Sequence, residues 1–374
     1  MQEIREAVGQ LLLVGFQGDG EAPPEAIRVA LAEGSIGGVI LFRRNVRDAE
    51  QVASLNEALH AAGATAVATP FVAVDQEGGR VVRLREPLTP VGPMRAVGQT
   101  RDQDLIARVS EVIATEIGAL GFNLNFAPVL DVDTNPLNPV IGDRAFSSDP
   151  EEVARAAGAF LVGHLMSGVI PCGKHFPGHG DTLEDSHLGL PTLMLDEKRL
   201  HQVELHPFRR AVAAGFPMLM TAHIVLPVLD AFLPATLSAP IIGALLRGQM
   251  GFEGVVITDC LEMKAVAEHY TIEQMVELGL RAGVDIFLIC HTEARWKRAF
   301  EHLCQLAQDN AEDRARIFES AARVRKLKAD YLGTMPRPWT PSAKWREVLG
   351  SAQHRSVLAR VGALEQPGVD PTEA

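Results

Sequence analysis

Ionisable side chains recur in this chain at one kind of place, the carboxyl end of a short apolar run. Asp75 closes the run 71–75, and Asp131 and Asp133 follow the run 124–130, with Arg144 further along the same connection. Lys174 and His175 close 169–175, His223 closes 217–223, Asp259 closes 255–259, and His291 follows 285–290. Carboxylates accept hydrogen bonds from hydroxyls, Arg and Lys donate them, and histidine moves a proton near neutral pH. Such groups repeated at successive run ends predict one site for a polar ligand. Taken singly, each has a plainer reading. Asp131 and Asp133 suit loop turns, and His223 and His291 suit hydrogen-bonded wall positions.

The densest segment is KHFPGHGDTLEDSHLGLP, residues 174–191, with Lys174, His175, His179, Asp181, Glu184, Asp185 and His187. Gly178, Gly180 and Gly189 let it bend, which suits a loop that closes over a ligand. One chemistry open to it is a metal cluster of His175, His179, His187 and the acids, but the H-x3-H-x7-H spacing matches no familiar zinc pattern. The other is proton transfer by a histidine oriented by a carboxylate, a pair that Asp185 and His187 offer two residues apart. His179 and Asp181 read as pins of the loop itself. In VAVDQEGGRVVRL (72–84), Asp75, Arg80 and Arg83 could hold hydroxyls or a carboxylate, with Arg80 read as an ion pair that fixes the loop. In GVVITDCLEMKAV (254–266), Asp259 beside cations stays ionised and can act as a nucleophile or steady a cationic transition state. Its plainer reading is a helix N-cap.

Something must bring these groups together. Apolar runs at 11–16, 38–42, 71–75, 124–130, 169–175, 217–223, 255–259 and 285–290 are bounded by Gly, Pro or polar residues, as buried parallel strands are. Helical spacing fills the intervals, for example 49–62, 102–120, 151–167, 197–214, 239–250 and 272–282. Asp149-Pro150-Glu151 is a helix start, and Gly121 and Gly168 are helix stops. Strand alternating with helix predicts a parallel sheet. Eight repeats favour a closed (β/α)8 barrel of the TIM type over an open sheet, whose working face lies at the carboxyl ends of the strands. No G-x-G-x-x-G spacing supports a dinucleotide site. The barrel is expected over residues 1–335. The Pro-rich remainder, 336–374, is expected to be a short extension with one helical stretch at 344–364, packed outside the barrel or partly disordered.

The 374 residues are 47% hydrophobic and 22% charged, the composition of a globular chain rather than a disordered one. Thirty-five basic against 47 acidic side chains give a net charge of −12, which argues against nucleic acid as partner without excluding a local basic pocket. No apolar stretch approaches the length of a membrane span. The beginning, MQEIREAVGQLLLVGF, is a poor export signal. Cys172, Cys260, Cys290 and Cys304 lack metal-ligand spacing and read as reduced thiols, so the expected compartment is the cytoplasm.

Five segments taken together resemble glycoside hydrolase family 3, and within it the bacterial β-N-acetylglucosaminidases of cell-wall recycling. They are GGVILF (37–42), DQEGGRV (75–81), GDRAF (142–146), KHFPGHGDT with DSH (174–187) and ITDCLEM (257–263), in the family's order over about residues 5–330. The resemblance implies a retaining hydrolase with Asp259 as nucleophile and His187 as acid/base, paired with Asp185. This departs from the two-carboxylate template of most glycosidases. It places sugar binding on Asp75, Arg83, Arg144, Lys174 and His175, with no metal and no redox cofactor. The implied partner is a small carbohydrate, an N-acetylglucosaminyl muropeptide fragment, and the chain is expected to act as a monomer. Cys260 stands where many relatives carry a second acid or another small residue, and His291 where relatives often have Asn. An αβα second domain is not expected, which leaves the acid/base role to the loop. Rival readings are a β-glucosidase or a glycoside phosphorylase of the same family, and a sugar-binding barrel without catalysis.

Overall fold

The computed structural model describes every residue except 184–188, 337, 363–368 and 373–374. Eight strands form the barrel: β1 (Leu12–Val14), β2 (Gly38–Leu41), β3 (Phe71–Val74), β4 (Leu124–Asn125), β5 (Ile170–Phe176), β6 (Met218–Thr221), β7 (Val255–Thr258) and β8 (Phe287–Ile289). Each lies within one residue of an expected run. Neighbours pair in parallel in chain order, β8 pairs β1 in the register Leu12↔Phe287, and an Ile257↔Ile286 bridge joins β7 to β8. The sheet is therefore a closed (β/α)8 barrel.

The period of two along each strand divides the core. Leu13, Ile40, Ala73, Leu124, Ile170, Met218, Ile257 and Leu288 fill the barrel, while Leu12, Val14, Val39, Val72, Val256 and Ile289 face the helices. Burying each Val, Leu, Ile or Met among them contributes about 1.5–3 kcal/mol. Asp48, Asp102 and Asp149 cap the helices Ala49–Ala62, Gln103–Ala119 and Pro150–Met166 by accepting backbone N–H bonds. The helix Ala311–Leu332 closes the bottom, with Val324, Leu327 and Leu332 against the barrel interior and Lys328 Nζ donating to the Gln10 side chain and the Gly37 carbonyl.

Two expected helices divide. The stretch 197–214 forms Glu197–Gln202 and Leu205–Ala213, because Pro207 cannot donate to the carbonyl four residues back. The stretch 344–364 forms Trp345–Val348 and Ala352–Ala359; the chain turns at Gly350, with φ +55°, and Ser351 caps the second helix. Trp345, Leu349 and Leu358 join the outer core beside Gln103–Ala119, and His354 Nδ1 meets Glu116 at 2.7 Å. Among the described residues no helix is long and apolar enough to cross a membrane.

Candidate active site

Closure of the barrel brings the carboxyl ends of the strands around one cavity of about 710 Å³. Asp75, Arg83, Arg144, Lys174, His175 and Asp259 all line it. So do His179 and His291, together with Cys260 and Cys290. Asp185 and His187, the expected acid/base pair, and Glu184 lie outside the described residues.

The floor is a compact charge network. Lys174 Nζ sits 2.7 Å from both Asp75 Oδ1 and Glu77 Oε1. Arg144 grips Glu77 with two parallel bonds, Nε–Oε2 at 2.9 Å and Nη2–Oε1 at 2.7 Å, the strong bidentate form of such a pair. Arg83 Nη2 lies 3.5 Å from Asp75 Oδ2. Burial by itself would raise the Glu77 carboxyl, but Arg144 and Lys174 overcome it and hold the group well below the ordinary carboxylate range. Burial would likewise lower Lys174, and Asp75 and Glu77 reverse this and raise it. Both therefore carry full charge in a site nearly closed to solvent. The DQEGGR turn makes this possible: Gly78 and Gly79 take φ of +107° and +58°, so the chain reverses and returns Arg83 towards Asp75.

The second component is the His175 pair. Asp131 is wholly buried, and its Oδ2 lies 2.6 Å from His175 Nδ1 while Oδ1 accepts the His179 N–H at 2.7 Å. Burial would raise Asp131, and the two histidines lower it instead. With Nδ1 committed to Asp131, His175 can meet a ligand only through Nε2. Desolvation, helped by the His175 charge, pushes His179 down to about 4, so it is neutral at pH 7. The first part of the long loop is firmly held. Asn138 donates to the His179 carbonyl at 2.8 Å, Arg199 pairs with Asp181 at 2.9 Å, and a Cβ on Gly180 would stand 1.8 Å from the Val132 carbonyl oxygen.

Asp259 ends β7, half-buried, with Oδ1 accepting the Cys260 N–H at 2.7 Å. It caps no helix, since the next one begins at Lys264 with Met263 at its N-cap. His223 is buried as a wall residue, and its Nε2 donates to the Cys260 carbonyl at 3.0 Å, steadying the turn that carries Asp259. Burial would raise the Cys260 thiol, but hydrogen bonds from Cys290 and His291 bring it below its ordinary value, while burial and the Cys260 charge push Cys290 far up.

Other candidates fall away from the cavity. Arg80 pairs with Asp143 at 2.9 Å and donates to the carbonyls of Val140 and Ile141, so it fixes the loop as expected. Asp133 pairs with Arg95 at 2.5 Å. Among the described residues no group of three or more His, Cys, Asp or Glu side chains is arranged to hold a metal ion.

Glu77 was not singled out in the sequence, and Asp131 was read there as suiting a loop turn. Glu77 lies two residues from Asp75 in the same motif, and its burial could only be balanced by cations brought from other strands. Asp131 orients His175 and His179 rather than capping a loop turn. Beyond 336, the helices Trp345–Val348 and Ala352–Ala359 pack against the outer core, and only Val369–Thr372 departs from the expectation by returning to the mouth, where Thr372 lines the cavity.

A closed barrel with a charged cavity at its carboxyl face has the place where enzymes of this fold keep their active sites. Residues 3–327 match the family model "Glycosyl hydrolase family 3 N terminal domain", and the chain belongs to that family. It is 35% identical to beta-hexosaminidase A of Pseudoalteromonas piscicida, covering 98% of this chain and 68% of that one. A glycoside hydrolase family 3 beta-N-acetylglucosaminidase from Paenibacillus sp. str. FPU-7 superposes with TM-score 0.86 at 37% identity, over 96% of this chain and 68% of that one. NagZ from Neisseria gonorrhoeae, solved in complex with N-trifluoroacetyl-D-glucosamine, gives TM-score 0.75 at 30% identity over 94% and 97%.

Proposed function

We propose that this chain is a retaining β-N-acetylglucosaminidase that releases terminal, non-reducing β-linked N-acetylglucosamine from peptidoglycan fragments. The observation that carries the reading is a half-buried carboxylate, Asp259, sharing one cavity with the donors and acceptors of Asp75, Arg83, Arg144, Lys174 and His175. The relatives named beta-hexosaminidase and beta-N-acetylglucosaminidase support the substrate class.

In the first displacement an Asp259 oxygen bonds to C1 of the sugar as the glycosidic C–O bond breaks, and protonated His187 gives its proton to the departing oxygen. In the second, neutral His187 takes a proton from water, whose oxygen bonds to C1 and frees the Asp259 carboxylate. Asp185 orients the imidazole in this scheme. Lys174 and Arg144, fully charged on their carboxylates, face the sugar hydroxyls as donors; Asp75 accepts. Six basic side chains line the cavity against three acids among the described residues, which supports fragments bearing carboxylates despite the overall charge of −12. Four free cysteines support a reducing, cytoplasmic setting, and action as a monomer is part of the proposal.

The test is turnover of a chromogenic β-N-acetylglucosaminide beside the matching glucoside. The acetamido sugar is expected to be preferred, and Asp259→Asn is expected to lower kcat by about 10⁴-fold or more with the melting temperature preserved. Retained activity rejects the nucleophile. His187→Ala is expected to slow substrates with poor leaving groups more than activated aryl glycosides, and equal losses on both reject the acid role.

A further inference from the structure

The Val369–Thr372 segment has no part in the chemistry proposed above, yet it reaches the floor of the cavity. Its Asp370 carboxylate pairs with Arg83 Nη1, and the Thr372 hydroxyl lies 2.7 Å from Arg83 Nη2. The segment arrives already shaped, because Asp370 Oδ1 accepts both the Thr372 N–H at 2.8 Å and its hydroxyl at 2.7 Å. Arg83 is wholly buried beneath it, and the same Nη2 lies 3.5 Å from Asp75 Oδ2.

We infer that residues 369–372 are an internal ligand of the sugar site, a carboxylate and a hydroxyl that occupy Arg83 in the resting enzyme and leave when a sugar enters. The inference rests on the reading that this cavity binds carbohydrate. Guanidinium donors aimed at an Asp carboxylate and a Thr hydroxyl are the donors that a sugar's oxygens require, so tail and sugar draw on the same N–H groups. Covalent attachment makes the contact an intramolecular one, with an effective concentration on the order of millimolar for a short connection. A weak docking contact is then enough to keep part of the population closed. The apparent affinity for substrate falls by the fraction that is open, while kcat at saturation is untouched.

The experiment compares the unmodified chain with the double variant Asp370→Ala, Thr372→Ala on a chromogenic β-N-acetylglucosaminide. Neither residue belongs to the catalytic or sugar-binding set, and neither joins a core cluster, so the melting temperature serves as the folding control. The expected result is a KM lower by roughly 3- to 10-fold at unchanged kcat. In the unmodified chain, N-acetylglucosamine is expected to speed hydrogen exchange at the Thr372 amide. Turnover with an unchanged KM overturns the inference alone, and so does a raised KM, which makes the segment a part of the binding site. Absence of turnover in both chains overturns the carbohydrate reading and this inference with it.

Discussion

The barrel carries a buried cluster of opposite charges at each end, and the two differ in what the charges face. At the bottom, Asp285 precedes β8 and is wholly buried. It accepts from Arg247 at 2.5 Å, Arg323 at 2.7 Å, Ser320 at 2.9 Å, the Val256 N–H at 2.9 Å and Arg316 at 3.3 Å. Five donors saturate one carboxylate, and the guanidiniums spend further donors on the protein itself, Arg247 on the Phe252 and Gly254 carbonyls and Arg323 on Glu319. That cluster ties the helices Pro240–Gln249 and Ala311–Leu332 to the strands. At the mouth, Asp75, Arg83, Arg144 and Lys174 are nearly shut off from bulk water but line a cavity, with buried Glu77 pairing Arg144 and Lys174. The same chemistry therefore serves as a clamp where it is closed on itself and, in the function proposed, as a ligand floor where it borders a cavity. Charge alone does not mark a site; charge with unfilled space beside it does.

Removing the saturated carboxylate tests the first half of this contrast. Asp285→Ala leaves three guanidiniums facing one another and is expected to destabilise the fold by about 3–5 kcal/mol, part of which solvent relieves. Thermal melting reads the loss, on the order of 10 °C. Below the transition kcat/KM should match the parent, and a large drop in the activity of folded enzyme would break the comparison by linking the bottom to the mouth. The counterpart at the mouth is Glu77→Gln. An amide cannot balance both Arg144 and Lys174, so those side chains lose their fixed positions. The expected outcome is a fall in kcat/KM of about 100-fold, carried more by KM than by kcat, with partial recovery in Glu77→Asp. A change in stability alone, with KM intact, would make Glu77 a clamp like Asp285.

The contrast also explains what could be read from the sequence. All eight strands were legible because buried parallel strands are continuous apolar runs with sharp ends. The groups at those ends were legible because barrel topology collects them, which is how Asp75, Arg144, Lys174, His175 and Asp259 came to one cavity. Glu77 was not, because its role depends on a partner 67 residues away and nothing local distinguishes it from a turn residue; Asp131 was placed at a run end, but its hold on His175, 44 residues away, was not legible. Asp285 was read as the start of a strand, since a strand's amino end carries no comparable expectation of function. The return of Val369–Thr372 to the mouth was hidden for a simpler reason. One acid and one hydroxyl in a polar tail have no periodicity, and only the placement of Arg83 makes them informative.

A smaller effect separates the two ends by pH. Burial pushes His179 down to about 4; burial also takes His60 down to about 4, against the pull of its bond to the Gly121 carbonyl, and His164 to about 3. Each is neutral in the fold, whereas the unfolded chain takes up protons near the ordinary histidine value of about 6.5. Between these values the unfolded state binds more protons, so stability rises with pH there. The contribution is complete above about 6.5 and is lost as pH falls towards 4. From pH 7 to pH 6 the three together are expected to cost about 2 kcal/mol, read as a falling denaturation midpoint at constant slope. The bottom cluster holds no histidine, so the Asp285→Ala protein should lose the same amount over that interval, from its lower starting point. A steeper loss in the variant would show that its guanidinium cluster senses protonation elsewhere, and the two ends of the barrel would then have to be treated as one electrostatic unit.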